Sequence, residues 1–377
     1  MQAFMYLVTG ETLWRMPMAS IIAALATYLL CYPVIYFSHR YHVLDRPGNR
    51  SSHERPTPRT GGVAIVLGAL MGVLACFNPS ATFLTIIGIG AVVAAVSFFD
   101  DIVSMPPVPR LVVQLLVAAA SIHVVDLVPT DIGLPYVEMN LPHWAGFVLA
   151  FVFVVGFVNA YNFIDGMNGL AASQGVWGGV VISLLLFTGH TGNSIFTAAA
   201  LAGACLGFFP HNFPNAKLFM GDIGAITIGF GLAMLALLGG TRTDVPWIAF
   251  ILPLSLAIYD PLFTVIKRVV QGHNPLRPHR EFHFHLLLRC GWTHDENTRV
   301  QNLFMATFSI LGLLYAWVPE EIAAPVRLMI LVLIALILGT YSIAVHAYFR
   351  THRLDGEEAT PASDVHKEAE LTPSVEP

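Results

Sequence analysis

The sequence predicts an all-α polytopic integral membrane protein, a bundle of ten or eleven transmembrane helices. Three observations carry that expectation. Hydrophobic residues make up 55% of the 377-residue chain and charged residues only 11%, whereas a soluble domain carries about 25% charged residues. The apolar residues fall into eleven separate runs of near-spanning length, a span needing about 20 residues of helix. Lys and Arg are confined to alternate connections: 16 of the 19 lie in one set of segments.

In chain order the spans are expected at 17–37, 61–77, 81–99, 109–128, 142–158, 170–188, 193–210, 223–240, 246–266, 302–318 and 322–349. The first residues lack the basic start and small-residue cleavage site of a signal peptide, so 17–37 is read as a retained first span. The loops on one side are 38–60, 100–110, 159–169, 211–222, 267–301 and the tail, with 5, 1, 0, 1, 6 and 3 basic residues, and only Arg15, Arg242 and Arg327 lie opposite. The positive-inside rule then puts the N-terminus outside and those loops in the cytoplasm. Residues 1–350 are read as one transmembrane domain. The tail at 351–377 is acidic and free of aromatics, which predicts a disordered cytoplasmic segment. The four cysteines, Cys31, Cys76, Cys205 and Cys290, form no C-x-x-C pair, so neither a disulfide framework nor a zinc site is indicated.

The residues that carry chemistry collect in the basic loops. Segment 159–172 reads N-A-Y-N-F-I-D-G-M-N-G-L-A-A and spaces Asn159, Asn162, Asp165 and Asn168 three apart. Residues at that spacing share a helix face, so the four polar groups are expected to converge on one ligand. A cap and glycine turn between two spans is the ordinary alternative. Unpaired polar groups at a membrane boundary are costly, and four in register exceed what a turn needs. The run S-F-F-D-D-I ends the third span on Asp100 and Asp101. Adjacent acids at a helix C-terminus repel each other and oppose the helix dipole. A divalent cation or a protonated phosphate would relieve both penalties.

In F-M-G-D-I-G, Asp222 stands between glycines at a helix start, as a metal ligand or as an ordinary N-cap. The loop from Asp45 to Gly62 holds four arginines and three prolines, and its P-T-P-R-T-G-G end suggests a rigid turn presenting Arg59 and backbone N–H groups to an anion. The last loop, 273–292, gathers His279, Arg280, His283, His285 and Arg289 with aromatics between. Phosphate contact is the preferred reading. Zinc is disfavoured because His279 and Cys290 do not complete a tetrahedral set at a recognised spacing.

Acids for a hard cation, amides for a polar ligand and cations for phosphates, all on one face, are the equipment of phosphoryl transfer. There is no Walker-type P-loop and no kinase glycine loop. The ordered motifs F-D-D, N-A-x-N-x-x-D-G-x-x-G-L, G-D-x-G and H-x-H resemble the polyprenyl-phosphate N-acetylhexosamine-1-phosphate transferases of glycosyltransferase family 4, over nearly the whole chain. The resemblance implies transfer of a sugar 1-phosphate from a UDP-sugar to undecaprenyl phosphate, with release of UMP and a requirement for Mg2+ or Mn2+, at the cytoplasmic face of a bacterial inner membrane. It implies that Asp222 is a metal ligand with Asn162 beside it, and that Asp100 and Asp101 engage the prenyl phosphate. Asp165 and Asn168 would serve the nucleotide or the site network, and Arg280, His283 and His285 the pyrophosphate; Arg59, Asn159 and His279 are expected among the substrate-binding residues.

The interrupted histidines and the P-T-P-R-x-G-G loop look more like enzymes initiating O-antigen or related polysaccharides than like the phospho-N-acetylmuramoyl-pentapeptide transferases, which typically carry three consecutive histidines. That second branch stays open, and the sugar stays open among N-acetylated GlcNAc, GalNAc, FucNAc and QuiNAc types. The expected partners are the UDP-sugar, undecaprenyl phosphate and the lipid bilayer, with a homodimer left open and no nucleic acid. A lipid or solute transporter is the competing class. It should place ionisable groups at mid-membrane and show internal repeats; no repeat is evident, and Asp260, before Pro261, is the main intramembrane acid.

Overall fold

A computed structural model describes residues 11–45, 56–76, 81–103, 107–274 and 279–352. Every span read from hydropathy is helical. The helices are α1 (Glu11–Arg40), α2 (Gly61–Cys76), α3 (Ala81–Val103), α4 (Pro107–Val125), α5 (His143–Ile164), α6 (Leu170–Thr188), α7 (Asn193–Asn212) and α8 (Gly221–Arg242). The ninth span is broken into α9 (Trp247–Ile251), a 3-10 turn at Leu252–Leu254 and α10 (Ser255–Val270). A short α11 (His283–Arg289) precedes α12 (His294–Trp317) and α13 (Ala323–His352). Among the described residues nine spans are long and apolar enough to cross a membrane; the 16-residue α2 and the 23-residue α3 complete the bundle. Most of the proposed disordered tail, and Arg46 to Arg55 of the first loop, lie outside the described residues.

Several helices run past the apolar runs that predict them. α3 continues through Asp100 and Asp101, α5 through Asn159 and Asn162, and α12 starts eight residues before the expected 302. A hydropathy run stops at the first polar residues, whereas helical hydrogen bonding continues into the interface. At α12 a capping box fixes the start: Glu296 N–H donates to Thr293 Oγ1 (3.2 Å), and Thr293 N–H donates to Glu296 Oε2 (2.9 Å).

α6, α7 and α8 form the centre, buried over most of their surface, while α1, α4 and α13 turn most of theirs outward. Without a hydrophobic drive between helices in lipid, close approach depends on small residues. α1 meets α2 and α7 in this way: a Cβ on Gly68 would lie 2.0 Å from Thr27 Oγ1, and one on Gly203 would lie 2.0 Å from the Ser20 carbonyl.

The connections sort to two ends. At one, Ser38 Oγ and Thr60 Oγ1 are 2.6 Å apart, and a two-residue antiparallel ladder joins β1 (Leu44–Asp45) to β2 (Thr57–Pro58). The loops before α2, α4, α6, α8 and α11 all start at that end. At the other, Arg242 donates to the Val125 carbonyl (2.8 Å) and Tyr315 to that of Gly133 (2.6 Å).

Candidate active site

The site is built around the N-terminus of α8. Gly221 reaches it with φ +71°, and a Cβ there would lie 2.0 Å from the Arg59 carbonyl. Only glycine fits both the left-handed backbone and that approach. The first loop is held here by its backbone: Gly61 N–H donates to the Phe219 carbonyl (2.9 Å), Gly62 N–H to that of Met220 (2.7 Å), and Phe219 N–H to that of Pro58 (2.8 Å). Those glycine N–H groups, which the sequence suggests for an anion, thus close the joint between two motifs. Arg59 itself is half-buried beside it, within electrostatic reach of Asp101.

Asp101 is buried and takes the first turn of α8: Asp222 N–H donates to its Oδ1 and Ile223 N–H to its Oδ2, each at 3.0 Å. Burial pushes its pKa up to about 7, and the two orphan N–H groups at the positive end of the helix pull the other way. Its neighbour Asp100 points elsewhere, to Arg110. One guanidinium nitrogen of Arg110 lies 2.9 Å from Asp100 Oδ2 and 2.5 Å from Asp222 Oδ2. The adjacent acids are therefore relieved by a helix end and a cation from the protein itself. Among the described residues, no group of three or more His, Cys, Asp or Glu side chains closes around a common metal position.

Asp165 caps α5 and faces the same helix end, where the Gly221 N–H supports its carboxyl. Burial pushes its pKa well above the usual carboxylate range, and the charges of Asp222 and Asp101 push the same way. Asn162 lies one turn earlier on α5, half-buried, and its carbonyl accepts from Asp165 N–H (3.3 Å).

The four residues spaced by three do not all converge. Asn159 donates its amide to Gln114 on α4 (3.1 Å) and to the Val155 carbonyl (2.8 Å). Asn168 lies beyond the helix end and donates to the Pro214 carbonyl (2.9 Å), while its backbone joins His294 (3.2 Å) and Thr298 (2.7 Å). The helix ends at Ile164, so the periodicity loses its geometric meaning after Asp165. Asn212, without a sequence-based role, fixes the following turn: its Oδ1 accepts from Gly169 N–H (2.6 Å) and its amide donates to the Leu218 carbonyl (3.0 Å).

The histidine loop divides as well. Residues two apart on a helix stand about 200° around the axis, so His283 and His285 leave α11 on opposite sides. His285 turns to the 165–169 loop after α5, the candidate catalytic loop: a Cβ on Gly166 would lie 3.6 Å from its Nε2. Its Nδ1 is buried with no hydrogen-bond partner among the described residues, and burial lowers its pKa to about 4. Arg280 acts on it electrostatically. His279 packs edge-on to Phe282 at 4.8 Å and accepts from Glu281 N–H (3.3 Å). His283 is fully buried and faces Asp260 instead, with Nδ1 2.6 Å from Oδ1. The intramembrane Asp260 that the sequence leaves without a role thus has a partner.

An apolar groove of about 320 Å³ opens between α5 and α10, lined by Phe153, Phe157 and Phe163 on one side and Ile258, Leu262 and Val265 on the other. Phe163 reaches Phe282 at 5.5 Å between ring centroids, so the groove ends beside the histidine loop. Arg110 and Asp260 are the site-end residues that sequence reasoning missed. The sequence carries a signal for each: a lone basic residue in the loop that begins with Asp100 and Asp101, and a lone acid inside a span.

A family model, glycosyl transferase family 4, matches residues 82–240. The chain is 30% identical over 295 residues to the Bacillus subtilis (strain 168) protein named "Probable undecaprenyl-phosphate N-acetylglucosaminyl 1-phosphate transferase", covering 77% of this chain and 82% of that one. It is 30% identical to the decaprenyl-phosphate N-acetylglucosaminephosphotransferase of Mycobacterium leprae (strain TN), covering 76% and 80%. It is also 28% identical to the phospho-N-acetylmuramoyl-pentapeptide-transferase of Moorella thermoacetica, covering 78% and 95%. The similarity spans both the carboxylate motifs and most of the bundle that holds them, and the chain belongs to glycosyl transferase family 4.

Proposed function

We propose that this chain transfers an N-acetylhexosamine 1-phosphate from a UDP-sugar to undecaprenyl phosphate, releasing UMP and forming undecaprenyl-diphospho-sugar. The observation that carries the reading is the gathering of Asp100, Asp101, Asp165 and Asp222 around one helix N-terminus, near the end of a groove fit for a hydrocarbon chain. Because the B. subtilis and M. leprae relatives are named for N-acetylglucosamine, UDP-N-acetylglucosamine is the first donor to test. The product would begin an O-antigen or another cell-envelope polysaccharide. The concentration of Lys and Arg at the site end supports a cytoplasmic active site in a bacterial inner membrane, with the N-terminus outside.

The donor set suits a hard cation: the carboxylates outnumber Arg110 and Arg59, and all the ligating atoms on offer are oxygens. Asp222, with Asn162 one turn before Asp165, would hold Mg2+ or Mn2+. When bound, the ion supplies charge neutralisation at the donor's pyrophosphate. The chain's own residues do the rest. Arg110 offsets Asp100 and Asp222, so that an anionic donor meets less repulsion. His285, held neutral by burial, and Arg280 line the approach of the phosphates. Asp101 keeps the α8 N-terminus, and with it Asp222, in place.

The acceptor phosphate has a second ionisation near pH 6 and needs little deprotonation at neutral pH. A one-step attack by its oxygen on the donor's β-phosphorus is the preferred route. Both oxygens of Asp101 lie on backbone N–H groups, and Asp100 pairs with Arg110, an arrangement that favours holding over nucleophilic attack. The covalent alternative predicts exchange of labelled UMP into UDP-sugar without lipid, and the one-step route predicts none. Purified protein with undecaprenyl phosphate and a panel of UDP-sugars, assayed for UMP, tests the proposal. Release with the N-acetylglucosamine donor is expected. Release only with UDP-N-acetylmuramoyl-pentapeptide would assign the peptidoglycan branch instead.

A further inference from the structure

His283 and Asp260 lie behind the proposed catalytic loop and make one continuous polar contact through apolar helices. Asp260 is 5% exposed and His283 0%. His283 N–H donates to both Asp260 oxygens, at 2.9 and 3.1 Å, so Asp260 caps the start of α11. The Nδ1 of His283 lies 2.6 Å from Asp260 Oδ1, and its Nε2 lies 2.8 Å from Ser342 Oγ on α13. Ser342 Oγ is also 2.7 Å from the Tyr259 hydroxyl. A neutral imidazole has one donor and one acceptor. Nδ1 is taken by the carboxylate and Nε2 by the Ser342 hydroxyl, so nothing remains for a phosphate.

One end of this chain of bonds lies beside the groove, and the helix that His283 begins carries His285 to the catalytic loop. On α10, Asp260 is flanked by Ile258, Pro261 and Leu262, which line the apolar groove. On α11, two residues after His283, His285 Nε2 lies 3.6 Å from the Cβ position of Gly166 in the catalytic loop. The seven-residue α11 is capped at its first residue by Asp260, bonded at the Phe284 carbonyl by Asn297 and seated on buried Phe284, Leu286 and Leu287, so a shift at Asp260 is passed to the whole short helix.

We infer that Asp260, His283 and Ser342 form a buried strut between the groove and the catalytic loop, so that filling the groove sets the position of His285. His283 is then a positioning residue and not a phosphate ligand. The inference rests on the transferase reading above. It explains why a span otherwise clear of acids spends a carboxylate at Asp260, beside the groove and away from the phosphates.

The test measures binding of UDP-N-acetylglucosamine to the purified full-length protein in detergent, with and without undecaprenol, which has the hydrocarbon chain but no attacking phosphate. In the wild type, undecaprenol should change the donor Kd by about fivefold or more. In His283→Asn and Ser342→Ala that effect should vanish, while the lipid-free Kd stays within about twofold of wild type. Ser342→Ala removes a single hydroxyl and keeps the test valid if His283→Asn does not fold. An undecaprenol effect retained in the variants overturns the strut, as does the lack of one in the wild type. So does a loss of about tenfold or more in lipid-free donor affinity in His283→Asn, which would mark a direct phosphate ligand. Failure of the wild type to bind any UDP-sugar overturns the transferase reading, and the strut with it.

Discussion

Asp101→Asn separates a carboxylate that does chemistry from one that holds the site together. The wild-type side chain is 5% exposed, and its two oxygens accept from Asp222 N–H and Ile223 N–H, both at 3.0 Å. Asparagine offers one acceptor oxygen, so its amide must face the other N–H. A buried donor left unsatisfied costs about 1–3 kcal/mol. Burial already pushes the Asp101 pKa up to about 7 against the pull of those two N–H groups, so removing the charge adds little to that cost at neutral pH. The expected loss is therefore about 1–3 kcal/mol of local stability, beside the loss of turnover. Asp100→Asn is the control. Asp100 is also buried, at 6%, but its partner Arg110 is 30% exposed, so solvent reaches the guanidinium when the charge is removed, and the asparagine oxygen still accepts from it. Thermal unfolding followed by size-exclusion chromatography in detergent should show a clear drop for Asp101→Asn and a small one for Asp100→Asn. Equal thermal stability of Asp101→Asn and wild type, with activity abolished, would refute the capping account and return Asp101 to the chemical step.

Burial and neighbouring acids raise the pKa of Asp165, so the unfolded chain gives up that proton at lower pH than the fold does. The stability it contributes is present below about pH 4 and is lost as pH rises through the raised folded value. Asp165→Asn should therefore abolish turnover yet raise the unfolding temperature at neutral pH, and a lowered temperature would contradict this. His285 runs the opposite way: its pKa falls from 6.5 to about 4, so its contribution is full above pH 6.5 and disappears between 6.5 and about 4. In His285→Gln the acid loss of stability should be shallower, as measured by unfolding at pH 7 and pH 5; an unchanged slope would remove the buried-neutral assignment. Asp222→Asn should remove turnover while expression and folding persist, and a chelator should do the same to the wild type. Activity within a few-fold of wild type in either case would end the metal assignment.

Much of the fold was legible because the bilayer simplifies it. Every backbone group in a span must be bonded internally, so apolar run length alone locates helices, and all eleven runs correspond to helices. Boundaries were less legible, because hydropathy ends where polar residues begin and helix α5 does not, carrying Asn159 and Asn162 within it. The carboxylates of the site could be read one by one. Their partners could not, since Arg110 to Asp222 and Asp101 to Ile223 are contacts across more than a hundred residues. The histidines do not face one point, because on α11 the H-x-H spacing turns one ring to Asp260 and the other to Gly166, which spacing along the chain does not reveal. Asp260 was noticed but left unexplained, because nothing local in the span pairs with it.

The central claim is that a sugar 1-phosphate, and not the sugar alone, moves to the lipid at the carboxylate end of the bundle. It is tested most directly with UDP-N-acetylglucosamine labelled with 32P at the β-phosphate and 14C in the sugar, incubated with undecaprenyl phosphate and purified protein. The account predicts that both labels enter the lipid fraction together in equal molar amounts, with unlabelled UMP released. Carbon label in the lipid with phosphorus left in the aqueous nucleotide, or neither label in the lipid with any UDP-N-acetylhexosamine, would contradict it.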